Sequence, residues 1–430
     1  MSAEKLWGSR SLEDAQGYAA EADPRHLCDT ITGLTDAHEA TFERSLDLVG
    51  SHALMSPRAR AMLGTGLIDK MRQTGLPGNR VHAGAHWIDH IETIAVGLAK
   101  RLFGVAYAEV RPLSCALANG LVFAALATRG DTVLAQTRHY GADPSTGPDA
   151  FGDLFGLEYA DLPYDETQLT VDVERAVEAI RRIKPRLVVF GSGFILFPYP
   201  VEELKKAAQS VGATVFYDGA HAVGLTGGGQ YQDPIAEGAD VVTGSVPKTL
   251  CGPTGGIILT NDPEIGEAVQ DTTGRIVSSY PNTHLAALAI TLAEMLQFGK
   301  DYAKDVILNA QALARALDDQ GMTVLGKNRG FTQSHLLLLN VGDQEAVDVW
   351  KRLEAAGLFA TPLRLPAGSP LTGIRLGTAS VTRRGMGEGE MKDIASFIGR
   401  VVRDGEEPAV VAKEVAELAT AFTKTHYCFD

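Results

Sequence analysis

Five short, uninterrupted apolar runs constrain the fold of this chain more than any other feature. They are Thr132-Val-Leu-Ala135, Arg186-Leu-Val-Val-Phe-Gly191, Ala213-Thr-Val-Phe-Tyr217, Asp240-Val-Val-Thr243 and Gly256-Ile-Ile-Leu259, rich in β-branched and aliphatic side chains. A strand with one wet face alternates apolar and polar residues, so continuous runs predict strands covered on both faces, as in a parallel α/β sheet. Between the second and third lies the amphipathic stretch Val201–Val211, closed by Gly212, which reads as a crossover helix. The interval from Asp240 to Gly256 is too short for such a crossover, so those two strands are expected to pair directly.

The flanks read as helices. Ala40–Val49 and Pro57–Met71 carry apolar residues at three-and-four spacing, as do Ile88–Phe103, Cys115–Ala127 and a long segment from Leu285 through Phe298. After Thr323 a smaller unit follows, with strands at Ser334–Asn340 and Gly373–Gly377 and a helix at Ala346–Ala356. A chain of 430 residues has room for two or three domains. The expected division is an N-terminal helical arm (1–85), a large α/β domain (86–300) and a small C-terminal α/β domain (301–430).

Composition narrows the partners. Lys and Arg number 39 against 53 Asp and Glu, a net charge of −14, which argues against nucleic acid or an anionic membrane and for small molecules. The four cysteines are scattered and form no CxxC pair, so a reducing, cytoplasmic setting is expected. Met1–Tyr18 has no apolar run and no stretch of 18 apolar residues occurs, so neither a signal peptide nor a membrane anchor is expected.

Chemistry-bearing residues gather at the ends of the apolar runs. Val241 to Ser245 leads into Val-Pro-Lys248-Thr-Leu-Cys-Gly-Pro-Thr-Gly-Gly256, one lysine on a glycine-rich turn, where desolvation favours a neutral amine able to form a Schiff base. Phe216-Tyr-Asp218-Gly-Ala-His221 closes another run with an acid and an imidazole, at the strand edge where open α/β sheets bind ligands. That acid could hold a pyridinium nitrogen and the imidazole could meet its ring. Ser114-Cys-Ala-Leu-Ala-Asn119 opens a helix with small residues, a natural phosphate seat. Arg375 lies inside the apolar strand Gly373–Gly377 and could clamp a carboxylate. His82, His86 and His90 are four apart, but Ala83-Gly-Ala85 is a poor helix start and no HExxH occurs, so no metal is expected.

The order of these motifs resembles the serine hydroxymethyltransferase family. It runs Asp-x-Ala-His, Thr-x-Ser-x-x-Lys-Thr-Leu-x-Gly-Pro-x-Gly-Gly, then Gly-Ile-Arg-x-Gly-Thr-x-x-x-Thr-Arg-Arg-Gly, and the likeness spans about Leu46 to Arg384. The resemblance implies a pyridoxal 5′-phosphate (PLP) enzyme of fold type I, with a large, mostly parallel seven-stranded sheet and a small C-terminal α/β domain. It further implies Lys248 as the Schiff-base lysine, Asp218 as partner of the pyridine nitrogen and His221 beside the cofactor oxygen. Ser114 and Asn119 would meet the phosphate side, with Cys115 and Ser245 also at the cofactor. Arg375 would take the substrate carboxylate and Ser51 would lie near the substrate. A homodimer with sites completed across the interface is implied as well, Met71 and His82 reaching the neighbour's cofactor.

The departures are specific. Where the family reads Lys-Tyr-Ala-Glu-Gly-Tyr-Pro-Gly, this chain has Lys70-Met-Arg-Gln-Thr-Gly-Leu-Pro77-Gly. Met71 replaces a tyrosine and Gln73 most nearly replaces a catalytic glutamate, and an amide cannot titrate in its place. His82 stands for a tyrosine near the substrate. His139-Tyr-Gly-Ala-Asp143-Pro-Ser replaces His-Gly-Gly-His-Leu-Thr-His, leaving His139, Tyr140 or a shifted neighbour to stack on the cofactor ring. Pro247 replaces a histidine, and Tyr280-Pro-Asn-Thr-His284 replaces a loop that frames folate. The expectation is a hydroxymethyltransferase-like aldolase or transaldolase acting on a threonine- or serine-like β-hydroxy amino acid and an aldehyde, with tetrahydrofolate use in question. A tetrahydrofolate-dependent serine or α-methylserine hydroxymethyltransferase is the first alternative. Another PLP enzyme (aminotransferase, racemase or decarboxylase) or a non-catalytic protein of the same fold follows.

Overall fold

All five apolar runs enter one sheet, whose seven strands in chain order are β1 (Tyr107–Glu109), β2 (Thr132–Ala135), β3 (Glu158–Asp161), β4 (Leu187–Phe190), β5 (Thr214–Asp218), β6 (Val241–Ser245) and β7 (Gly256–Thr260). The computed structural model describes residues 16–17, 23–69, 76–80, 83–366 and 373–429. Spatial order is β1-β7-β6-β5-β4-β2-β3. Strands β6, β5, β4, β2 and β3 run parallel, while β7 is antiparallel to both β6 and β1. The direct β6–β7 pairing is the one the short spacing predicts. The edge strands β1 and β3 escape the sequence reading because both keep partly or fully exposed residues and lack a continuous apolar run.

Side-chain alternation splits the sheet residues between two cores. Leu134, Val188, Phe190, Val215, Tyr217, Val242 and Leu259 pack on one face. That face is covered by α2 (His86–Phe103), α4 (Val173–Ile183), α5 (Val201–Gln209) and α7 (Asn282–Asp319), while α1 (Pro24–Glu43) stays outside both cores. Val133, Leu187, Val189, Phe216, Val241 and Ile258 face the other way, under α3 (Cys115–Leu126) and α6 (Pro263–Ile276).

A second, four-stranded antiparallel sheet holds β8 (Thr323–Val324), β9 (Leu336–Asn340), β10 (Thr361–Leu363) and β11 (Gly373–Gly377), in the order β8-β9-β11-β10. Strand β9 serves both units: Leu337 and Leu339 enter the small core, whereas Leu336 and Leu338 enter the large one. Helix α7 does the same along its length, with Leu285 to Val306 in the large core and Ala312 to Leu317 in the small. Position 300, read as a domain boundary, therefore falls inside a continuous 38-residue helix.

Two helix expectations near the N-terminus are corrected. Helix α1 ends at Glu43, and Leu46–Asp47 pairs in parallel with Leu358–Phe359, so Leu46 and Leu48 are buried as strand-like residues in the small core. Pro57–Met71 is broken: the helix is Pro57–Leu63, Gly64 caps it, and a single 3-10 turn follows at Gly66–Asp69. Among the described residues, no helix is long and apolar enough to cross a membrane.

Candidate active site

Asp218 is the last residue of β5 and is only 4% exposed. Its Oδ1 accepts the Ala220 backbone N–H at 3.0 Å, and its Oδ2 accepts Nδ2 of Asn119, also at 3.0 Å. The same Asn119 accepts the Thr243 hydroxyl at 2.7 Å and donates to Ser145 Oγ at 2.9 Å. Ser145 in turn donates to Asp143, so two carboxylates are joined through an amide and a hydroxyl. Burial, and then the nearby charge of Asp143, push the Asp218 carboxyl above the usual range. A cation placed against it would relieve that cost.

Lys248 sits on the turn after β6. Cys251 N–H closes the turn on the Lys248 carbonyl, and the Thr249 hydroxyl donates to the His221 carbonyl at 2.8 Å while accepting Gly224 N–H at 3.0 Å. The lysine is thus held against the segment that follows β5. Burial lowers its amine below the ordinary lysine value, and Cys115 and Asp218 oppose that shift.

Arg375 comes from the middle of β11. Its Nη1 donates to the Gly193 carbonyl at 2.9 Å, and its Nε is buried without a partner. Burial pushes the guanidinium down to about 10, still protonated at neutral pH. Gly193 makes this reach possible, since a Cβ there would stand 2.8 Å from Arg375 Nη1. Gly191, at φ 144°, lets the chain after β4 pass against the Asp218 backbone, where any side chain would collide.

His221 and His335 form a stacked pair, with ring centroids 5.7 Å apart and planes 19° from parallel. His335 is fully buried, with Nε2 3.0 Å from the Gly50 carbonyl. Burial pushes His335 down to about 3, and burial with the Lys248 and Arg375 charges drives His221 well below its ordinary value. Both rings are therefore neutral. His335 has no role in the sequence reading, because a histidine opening an apolar strand looks like an ordinary strand end.

These groups meet in one cavity of about 480 Å³ lined by, among others, Ser51, Asp143, Asp218, His221, Lys248 and Arg375. It opens at the carboxyl ends of the parallel strands, as the fold predicts. Several expected contributors sit elsewhere. Ser114 accepts the Leu117 N–H as the helix cap, and Asn119 lies one turn deeper, where it donates to Asp218. Cys115 lies behind the carboxylate, its Sγ 3.9 Å from Asp218 Oδ1, and Ser245 is buried at the end of β6, so neither lines the cavity. Neither His139 nor Tyr140 faces the cavity. Tyr140 stacks on Tyr164 with centroids 4.2 Å apart and donates to Glu166, and His139 packs edge-on against Tyr140. Gly141, Ala142 and Phe194 line that side instead. Tyr280 is buried beside the turn at Gly255, and His284 meets the Thr254 carbonyl. His86 and His90 lie on the exposed start of α2, and no metal-holding cluster occurs among the described residues. Met71, Gln73 and His82 lie outside the described residues.

A mixed seven-stranded sheet, a small C-terminal sheet packed on it, and lysine, aspartate and arginine converging at the strand ends define an α/β enzyme of the PLP fold type I class. The family model for serine hydroxymethyltransferase matches residues 27–398. The chain belongs to that family. Similar relatives include serine hydroxymethyltransferases from Methanocella arvoryzae, 40% identical across 93% of this chain and 96% of its own, and Methanothermobacter thermautotrophicus, 38% identical across 93% and 95%. Among solved structures, L-threonine transaldolase from Pseudomonas fluorescens is similar with a TM-score of 0.88 and 28% identity, covering 94% of each chain.

Family membership implies PLP, and the residues fit it. A desolvated amine, a buried acid whose carboxyl is pushed up by burial and by the charge of Asp143, and a buried guanidinium with an unpartnered Nε all meet around one cavity. An anionic aldehyde with a basic ring nitrogen would satisfy each of the three in part, and a substrate carboxylate would complete the arginine.

Proposed function

We propose that this enzyme breaks and forms the Cα–Cβ bond of a β-hydroxy-α-amino acid and passes the amino-acid fragment between aldehydes without folate. What carries the reading is the convergence of Lys248, Asp218 and Arg375 on one cavity, in a chain with Gln73 where the family pattern has a titrating glutamate. Likeness to an L-threonine transaldolase over 94% of the chain supports it. The relatives named serine hydroxymethyltransferase, 37–40% identical, favour a second reading in which tetrahydrofolate carries the one-carbon fragment of serine.

PLP, when bound, supplies an electron sink for the bonding pair released at an amino acid's Cα. The chain's residues do the rest. The Lys248 amine, held below the ordinary lysine value by burial, would be the nucleophile that holds the cofactor aldehyde and yields to a substrate amine. Asp218, fixed by Asn119 and the Ala220 N–H, keeps the ring nitrogen protonated. His221 would present its neutral ring to the cofactor's oxygen. Arg375 exchanges its Gly193 carbonyl for the substrate carboxylate, a charge-assisted and geometrically fixed contact. Ser51 lines the same wall. In this reading the protein is a cytoplasmic homodimer.

The test is acetaldehyde release from L-threonine by purified holoenzyme, with and without tetrahydrofolate. Folate-independent release is expected. Activity on serine alone, and only with tetrahydrofolate, would establish the second reading instead.

A further inference from the structure

Bond cleavage of this type needs a group that accepts the proton of the substrate's β-hydroxyl. Among the described residues, the titratable or charged groups lining the cavity are Arg138, Asp143, Asp218, His221, Lys248 and Arg375. Arginine has no acceptor. Asp218 is assigned to the ring nitrogen, and its oxygens also accept Asn119 Nδ2 and the Ala220 N–H. His221 has its Nδ1 buried without a partner, and its ring is pushed well below its ordinary basicity. Lys248 serves the exchange between cofactor aldehyde and substrate amine in the reading above.

Asp143 differs from all of these. Its Oδ1 is anchored by the Ser145 N–H at 2.9 Å and the Ser145 hydroxyl at 2.5 Å, whereas its Oδ2 has no hydrogen-bond partner among the described residues. Ser145 is itself held by Asn119, the residue that fixes Asp218, so the Asp143 side chain is braced in one rotamer by the network under the cofactor site. Its charge acts on both Lys248 and Asp218.

We infer that Asp143 is the catalytic base for the β-hydroxyl, an assignment that rests on the folate-free reading above. In cleavage, the hydroxyl proton passes to Asp143 Oδ2, the O–H electron pair becomes the second bond of the aldehyde C=O, and the Cα–Cβ pair stays with Cα. In the forming direction, Cα attacks the carbonyl carbon of a second aldehyde and the new alkoxide recovers the proton from Asp143. No external oxidant or reductant is needed.

Asp143 also caps the short turn Pro144–Thr146, so the test must separate base from cap. Asn and Ser are both good caps without a carboxylate, so Asp143→Asn and Asp143→Ser keep the turn. Two reactions of the holoenzyme are compared: cleavage of L-threonine, which needs the base, and exchange of the glycine α-proton with deuterium oxide, which does not. Both variants are expected to lower cleavage kcat about 100-fold more than they lower exchange. Equal loss of both reactions, or wild-type cleavage in either variant, overturns the assignment. A cleavage defect confined to Asp143→Ala shows a cap only and overturns it too. Wild-type enzyme that exchanges glycine but cleaves no β-hydroxy amino acid without folate overturns the underlying reading, a result distinct from the variant outcomes.

Discussion

At the scale of single residues, the site depends on keeping ionisable groups in uncharged or unpartnered states. His335 is fully buried and held near 3, against 6.5 for an ordinary imidazole. Between those values the unfolded chain binds a proton that the folded chain refuses, so stability rises with pH across the window and falls on acidification. At pH 5 the penalty is about 2 kcal/mol. His335→Phe keeps a ring against His221 and removes the titration. The variant is expected to narrow the difference between urea midpoints at pH 7 and pH 5, and an unchanged difference would mean His335 is not held neutral. The roles of Lys248, Asp218 and Arg375 are proposed from residue type and glycine context alone, and the fold does bring all three to one cavity. Asn119 shows how helical phase places a residue. Cys115, Ala118, Asn119 and Val122 share one buried helix face at three-and-four spacing. Helical phase thus turns Asn119 toward the sheet, where it meets Asp218.

Elements set how those residues meet. Helix α7 and strand β9 each contribute to both cores, so Arg375 on β11, paired with β9, is positioned by the same elements that fix the large sheet. Tyr302 of α7 adds a tie, its hydroxyl accepting the thiol of Cys251, three residues after Lys248, at 3.1 Å. Leu313 lies on α7, fully buried in the small core. Leu313→Ala should cost about 2–5 kcal/mol, read as a lower urea midpoint. A cost below that range would mean the helix is not the shared support described. The interior strands β2 and β4–β7 are legible because burial on both faces writes continuous apolar runs. The pairing of Leu46–Asp47 with Leu358–Phe359 is not, since two residues carry no period and the partner lies over 300 positions away. Asp143 is hard to read for a similar reason: its place beside Lys248 depends on how the loop after β2 folds against the loop after β4, where Gly193 N–H meets the Gly141 carbonyl.

For the whole molecule, family membership and fold fix the cofactor class but not the carbon acceptor. The net charge of −14 describes the outside, while the cavity gathers Lys248, Arg138 and Arg375 for anionic ligands. The central claim is that the amino-acid fragment moves from one aldehyde to another with no folate. It is tested most directly by incubating holoenzyme with L-threonine and a second, non-volatile aldehyde in folate-free buffer, then identifying the amino acids by mass. The expected result is a new β-hydroxy-α-amino acid carrying the second aldehyde's carbons, formed as acetaldehyde is released. Absence of that product, with activity appearing only when serine and tetrahydrofolate are supplied, would contradict the account.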